Sequence, residues 1–445
     1  MQCVPQNTAI SVSVARGACV AAALLLFMSA GSPAATRFKD NDADNLNLGS
    51  SWIGGAVPGS GDTALWSNNL AGANAVLLGG NLSFQGIWLL SPGGAVAIGG
   101  NNTLTLGQNG INMGLATQDL TVTNATLSMA IGDQIWSVTN GRTLTVSPGT
   151  FTRTPTATLN VRGGGTVATA TLTNDATGII GTWASHGTGT STRYATVSGG
   201  NIIGYAGGVA APTAAEVVDT TGTTNYDVAA AGTLGAGASF NTLRCTGAAG
   251  TMAGDFTANG LMNAGAGALT NIGNVTIGAS RELVVTSPDS TRSLAFTGTI
   301  GDGGGGASGI IKAGEGTVVL SSSNAYTGVT TVNRGVLQIA HPDALGATNG
   351  RTEVYAGTGG TAQGGQLQMS GGITVAEPLF LQGDQINYQG ALRSIGGSNV
   401  WSGPITLGSG GSRITSAAGS LAIIGGMTGA NVQLVINALP GAPMT

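Results

Sequence analysis

GEGTVVLSSSNAYTGVTTVNRGVLQI, residues Gly314 to Ile339, holds three short apolar-alternating runs separated by Gly, Ser and Asn. The runs are Thr317–Leu320, Val329–Val332 and Val336–Ile339. Each is about a strand long, rich in β-branched residues and too short for an ordinary helix. Almost no charge lies among them. Three strands and two bends in so short a span describe about one turn of a coiled stack, and the rest of the chain repeats the pattern.

The whole composition agrees. Gly supplies 78 of 445 residues and charged residues only 8%, against usual shares of about 7% and about 25%. Low charge with a positive mean hydropathy argues against disorder, because disordered segments are hydrophilic and charged. Where strands stack in register, like charges lie directly above one another and repel, so a stacked chain sheds them. Net charge is -4, and the only lysines are Lys39 and Lys312. Without a basic stripe to neutralise phosphates, nucleic acid is not an expected partner.

At the N-terminus, Arg16 precedes an apolar run from Ala18 to Met28, followed by SAGSPAAT. Cleavage after Ala34 puts Ser32 and Ala34 at the two small-residue positions, with Ala30 and Ala35 as alternatives around the intervening Pro. Residues 1–34 read as a signal peptide, and the run is too short to span a bilayer. The mature chain is therefore expected to be exported, with no transmembrane segment. Cys19 opens the apolar run and is no lipid-attachment site. Cys245 alone remains after cleavage, so no intramolecular disulfide is expected.

Beyond the leader, strand-like runs recur between turn clusters: TLTL at Thr103–Leu106, LTV at Leu120–Val122, RTLTV at Arg142–Val146 and TATLNV at Thr156–Val161. NTLTLG and RTLTVS align at an offset of 40 (Thr103 to Thr143), which suits two rungs of about 20 residues. Asn324–Gly328 aligns with Asn399–Gly403, and Gly316–Leu320 with Gly419–Ile423. Unequal offsets imply loop insertions between rungs. The expected division is a lead-in and cap over 35–75, rungs over 76–309 with an irregular insertion near 175–232, and a continuation over 310–445.

The string from Gly314 to Ile339 resembles the autotransporter-associated β-strand repeat, G-x-G-T-[LV]-x-L-[ST]-G-x-N-x-Y-[ST]-G-x-T-T-[VI]-x-x-G-x-L. It departs at Ser322, where that family usually has Gly. The strong match spans Lys312 to Gly346. SWIGGAVPGSGDTALW (Ser51 to Trp66), GGNNTLTLGQNGI and AEPLFLQGD also look like segments of long exported proteins that carry the repeat. The resemblance implies a right-handed parallel β-helix, on the bacterial surface (outer membrane associated) or in a secreted passenger, and implies no catalytic residues.

Candidate chemistry is sparse. Gly301, Gly303 and Gly306 fit G-x-G-x-x-G, but ASGIIK follows and reads as a strand where a nucleotide site needs a helix. Neither lysine follows a Gly, so no P-loop exists, and no G-x-S-x-G pentad occurs. His186 and His341 are the only histidines, and neither has a second ligand nearby in sequence. Asp40, Asp42 and Asp44 have the alternate spacing of a calcium loop, yet Asn45 and Ser51 stand where Gly and Glu belong. A solvated acidic segment is the preferred reading. Cys245 reads as a small buried residue. Of the six tryptophans, most adjoin aliphatics, as Trp88 does in GIWLL, and are expected in core or cap. Trp183 is the one expected near the surface.

Catalytic, cofactor-binding and metal residues are thus expected to be none, and no cofactor or nucleotide is implied. Coiled parallel strands fill their core with inward Val, Leu and Ile, while Thr and Ser keep the outer face wet without charge. At about 20–25 residues per rung, a single rod would be roughly 80–95 Å long. The preferred function is a non-catalytic exported stalk, adhesin or passenger, meeting surface polysaccharide or other cells. The alternatives are a polysaccharide-acting enzyme, which needs clustered acids on one face, and a carbohydrate-binding protein, which needs aligned surface aromatics. Within these residues no C-terminal series of barrel-forming strands is seen. Either a longer reading frame or export by another protein is expected.

Overall fold

The computed structural model describes residues 11–15, 35–356, 364–383, 389–429, 432–439 and 441–445. The described residues form an all-β solenoid of about 17 stacked parallel coils. Helical structure among them is limited to three 3-10 turns, Gly49–Ser51, Gly189–Ser191 and Ala214–Glu216. No helix among them is long and apolar enough to cross a membrane. The expected leader lies mostly outside the described residues. Its Ser11–Ala15 portion is a strand paired parallel with Gln433–Ala438.

Strand alternation decides what is inside. In Thr317–Leu320, Val318 and Leu320 are fully buried while Thr317 and Val319 are partly exposed. Coil-over-coil pairing then sets like over like. Phe296, Leu320, Ile339 and Met369 form one interior column, and Leu294, Val318, Leu337 and Leu367 form the next. Thr317–Leu320 lies directly under Val336–Ile339, so the stretch that opened the reading is one complete coil. Its middle run, Thr330–Val332, belongs to a second face, between Gly309–Ala313 and Thr352–Tyr355.

The internal echoes divide. Asn324 and Asn399 do play one part: each is buried and bonds the backbone of a neighbouring coil, Asn324 through Ile300 N (2.8 Å) and Asn399 through Ile373 N (3.0 Å). The other two alignments are wrong. Thr103–Leu106 stacks on Thr126–Met129, whereas Thr143–Val146 stacks on Leu120–Val122, on a different face of the coil. Gly419–Ile423 runs beside the second half of Leu392–Trp401, outside the column of Thr317–Leu320. Every face must alternate polar-out and apolar-in, so strands from different faces look alike. The true step between coils varies from 17 residues (Val209 to Tyr226) to 30 (Gly335 to Gly365).

The chain is also not the single rod expected. A first stack, Thr36 to Gly204, ends in an antiparallel hairpin of Arg193–Ser198 with Asn201–Gly204. Gly199 and Gly200 make its two-residue turn at φ of 57° and 77°, the left-handed pair that such a turn requires. A second stack begins at Val209–Ala211 and folds back along the first. Thr177 meets Asn225 and Asn241, Arg162 meets Glu315, Asp133 meets Arg334, and Gln108 meets Tyr355. Stepping backward through the first stack moves forward through the second, so the two lie antiparallel, side by side.

Leu320→Asp is expected to cost several kcal/mol, since it places an unpaired carboxylate among aliphatics. Thr317→Asp on the wet side of the same strand should stay within about 0.5 kcal/mol. Thermal melts compare them, and equal losses would contradict the assigned faces.

Candidate functional site

The densest chemistry among the described residues lies in the seam between the two stacks. Alternation explains why it is there. In Gly309–Ala313, Ile310 and Lys312 point into the coil, so Ile311 and Ala313 point out and are buried against the first stack with Val284. In Asp133–Val138 the interior takes Trp136 and Val138, which turns Asp133 toward the seam.

Polar pairs run the length of the seam. Near the hairpin, the Asn259 side chain donates to Asn241 (3.0 Å) and Asn241 to Asn225 (2.9 Å), and Asn225 donates to Thr177 O (2.9 Å). This amide ladder is tied to the first stack at its end. Arg244 grips Asp227 through two bonds of 2.8 and 2.6 Å and reaches Thr192 O. Further along, Arg153 pairs with Glu282 at 2.8 Å while its guanidinium covers Trp183 at 5.3 Å. Thr156 is held at φ 68°, rare for a β-branched residue, by Glu282 on its N–H and Asn333 on its carbonyl. Gly260 faces Tyr194 and Thr182, where a Cβ would come within 2.9 Å of the tyrosine hydroxyl. Any side chain there would have to push the buried tyrosine aside.

An ionic cluster occupies the centre. Arg334 and Asp133, both nearly inaccessible, approach to 3.8 Å, an ion pair too long for a hydrogen bond. Glu315 accepts from Arg334 (2.9 Å) and Arg162 (3.0 Å). Burial alone would raise the Glu315 carboxyl, but Arg334 and Arg162 outweigh it and hold it below the usual range. Lys312 enters from the coil interior, in a column between Val285 and Val332. It is fully buried, and its Nζ donates to the carbonyls of Ala313, Gly314 and Arg334 at 2.7–2.8 Å. Burial pushes this ammonium down to about 7, with Asp133 and Glu315 pulling it up and Arg334 pressing it down. These groups neutralise one another. What the arrangement does chemically is clamp two stacks together.

The residues singled out in the sequence are scattered. His186 ends the strand Ala184–His186, partly buried and lowered by that burial, and His341 Nδ1 accepts from the Asp343 N–H in a turn. Among Asp40, Asp42 and Asp44, Asp42 is ion-paired with buried Lys39 at 2.6 Å and Asp44 accepts from Ser50. That segment is solvent-exposed at Asp40 and Asp44, and through Asp42 it also closes over a buried lysine. No group of three metal-ligating side chains occurs among the described residues. Gly301 ends the strand Ile300–Gly301, and the strand Gly309–Ala313 follows the turn. Cys245 is buried, and its thiol is pushed up to about 11 by that burial. Trp52, Trp66, Trp136 and Trp401 are core residues. Trp183 stacks on Phe151 and is half-buried, while Trp88 is 39% exposed. Trp183 thus keeps part of its ring at the surface as expected, whereas the core expectation for Trp88 is reversed, because Ile87 and Leu89 take the interior and parity turns Trp88 out.

Arg334→Met should destabilise the fold by ~3–5 kcal/mol by stranding buried Asp133, and adding Asp133→Leu should recover much of it. Urea melts of the two variants test this. A second expectation concerns pH. An unfolded lysine keeps its proton to about 10.4, whereas folded Lys312 releases it near 7. Between those values the unfolded chain binds more protons, so this contribution to stability rises with pH. Glu377 acts oppositely. Burial pushes it up to about 8 against a hydrogen bond from Thr352. From about 4.3 to that value the folded chain binds more protons, and stability falls as pH rises. Tm should pass through a minimum near pH 7–8; Lys312→Met should flatten its alkaline limb, and Glu377→Gln its acid limb.

Comparison with known proteins bears on the same coil. The model of the passenger-associated-transport-repeat family matches residues 310–339. The autotransporter adhesin BmaC of Brucella suis biovar 1 (strain 1330) is 32% identical over 135 residues, covering 27% of this chain. The match spans only 4% of that relative's length. No solved structure matches the chain. Residues 310–339 thus match the passenger-associated transport repeat and fold as one solenoid coil, and this match, with the likeness to an autotransporter adhesin, supports the resemblance to the autotransporter-associated repeat family.

Proposed function

We propose that the chain is a non-catalytic, exported passenger that serves as an adhesive or stalk-like segment at the cell surface. The observation that carries this reading is the transport repeat, which supplies an ordinary coil of the ladder with its charged residues engaged in clamping. The likeness to an autotransporter adhesin supports it. Residues 1–34 act as the export leader, and surface polysaccharide or other cells are the partners. Glycoside hydrolysis needs one carboxyl poised as an acid and a second as base or nucleophile. Here Glu315, Glu282, Asp133 and Asp227 each face an arginine, an arrangement that fits a structural role.

The full chain, displayed on a bacterial surface, is expected to promote attachment to other cells or polysaccharide-coated surfaces without releasing reducing ends. Attachment should be unchanged in a His186→Ala/His341→Ala variant. Release of reducing ends that disappears with a single carboxylate substitution would overturn the non-catalytic reading.

A further inference from the structure

We propose that the open end of the seam is a binding site for a neutral oligosaccharide, stacked on Trp88 and Phe38. This rests on the adhesive reading and names the chemistry of the surface it meets. Phe38, Leu65 and Trp88 are register partners in three successive coils of the first stack. All three point away from the core. Phe38 is 42% and Trp88 39% exposed, with Leu65 buried between them at 3%. Two ladder steps separate the aromatic positions by roughly 10 Å, within the span of a disaccharide. Asn112 continues the column after Trp88, and Thr63 lies beside Leu65 in the same strand, on the same face.

Charge is distributed unevenly along the seam. The ion pairs that cross it, from Arg193–Asp227 to Asp133–Arg334, all lie closer to the hairpin than the bond from Gln108 to Tyr355 O, beside which Glu353 is paired with Arg351 of its own stack. One coil further out, Trp88 on the first stack has Phe380 as its counterpart in coil order on the second, next after Glu353 in the outward column. Thr406 and Thr428 continue that column without charge. Aromatic faces rimmed by neutral amides and hydroxyls match a pyranose, whose C–H face is apolar and whose edge carries hydroxyls. Glu353 is already paired with Arg351, and beyond it neither a polyanion nor a polycation finds a counter-charge in these columns. A second copy is disfavoured by area, since a stable dimer buries about 800 Å² per partner and a row one side chain wide offers far less.

The test uses the full chain and acrylamide quenching of tryptophan fluorescence, to which Trp88 is the most accessible contributor. The probes are hexasaccharides of β-1,4-glucose, β-1,3-glucose and β-1,4-N-acetylglucosamine, with polygalacturonate as the anionic control. At least one neutral probe is expected to protect Trp88, and polygalacturonate is not. Trp88→Ala and Phe38→Ala should each weaken binding about tenfold, equal to ~1.4 kcal/mol of lost stacking, without lowering Tm. Failure of all three neutral probes, or binding that survives Trp88→Ala, would overturn the site. So would protection that follows protein concentration and self-association in sedimentation, which would assign the stripe to a second copy. If displayed Trp88→Ala/Phe38→Ala protein still mediates attachment, the adhesive reading stands while this site falls. If wild-type protein neither binds the probes nor attaches, both fall.

Discussion

Parallel pairing between successive coils sets each side chain about 4.8 Å above its counterpart one turn earlier. Composition, core and surface all answer to that repetition. Inside, it demands columns of compatible shape, as in Phe296, Leu320, Ile339 and Met369. Outside, it penalises like charge on like charge, so threonine and serine line the wet faces: Thr103 over Thr126, and Thr126 under Thr150. Asparagine is admitted where its amide can bond across the step, which turns the same repetition into a ladder from Asn225 to Asn259.

The few charges are placed where that constraint is relaxed. Both lysines are wholly buried, and each is satisfied by backbone oxygens: Lys39 by Asp40 and Asp42, Lys312 by Ala313, Gly314 and Arg334. Several arginines and acids meet across the seam, where opposite charges come from different stacks and need not repeat. Buried pairs of this kind add little net stability over a well-packed apolar surface, but they penalise any other alignment. In this molecule they fix which coil of one stack faces which coil of the other.

Such a seam leaves its two ends unlike. Near the hairpin, chain connection and paired charges hold the stacks together. At the far end the ladders carry Trp88 and Phe380 in place of ion pairs. On the proposed reading, the neutral aromatics at that end are where the double stack would meet another surface.

Much of the coil was legible in the primary structure. Thr-Val-Val-Leu alternates with period two, so Val318 and Leu320 had to share a face, and local backbone geometry enforces that without tertiary help. The repeat at Gly314–Ile339 was legible for the same reason. Which face a strand occupies was not, because TLTL and TLTV satisfy the same alternation on different faces. Trp88 could have been placed from its parity with Ile87 and Leu89, a stronger signal than its aliphatic neighbourhood. The back-folding had no local signature: Gln108 and Tyr355 lie 247 residues apart. Short-range alternation determined the solenoid. Only the docking of one outer face on another decided that Asp133, Ile311 and Arg334 are buried, since an outward position is wet or dry according to what a distant part of the chain lays over it.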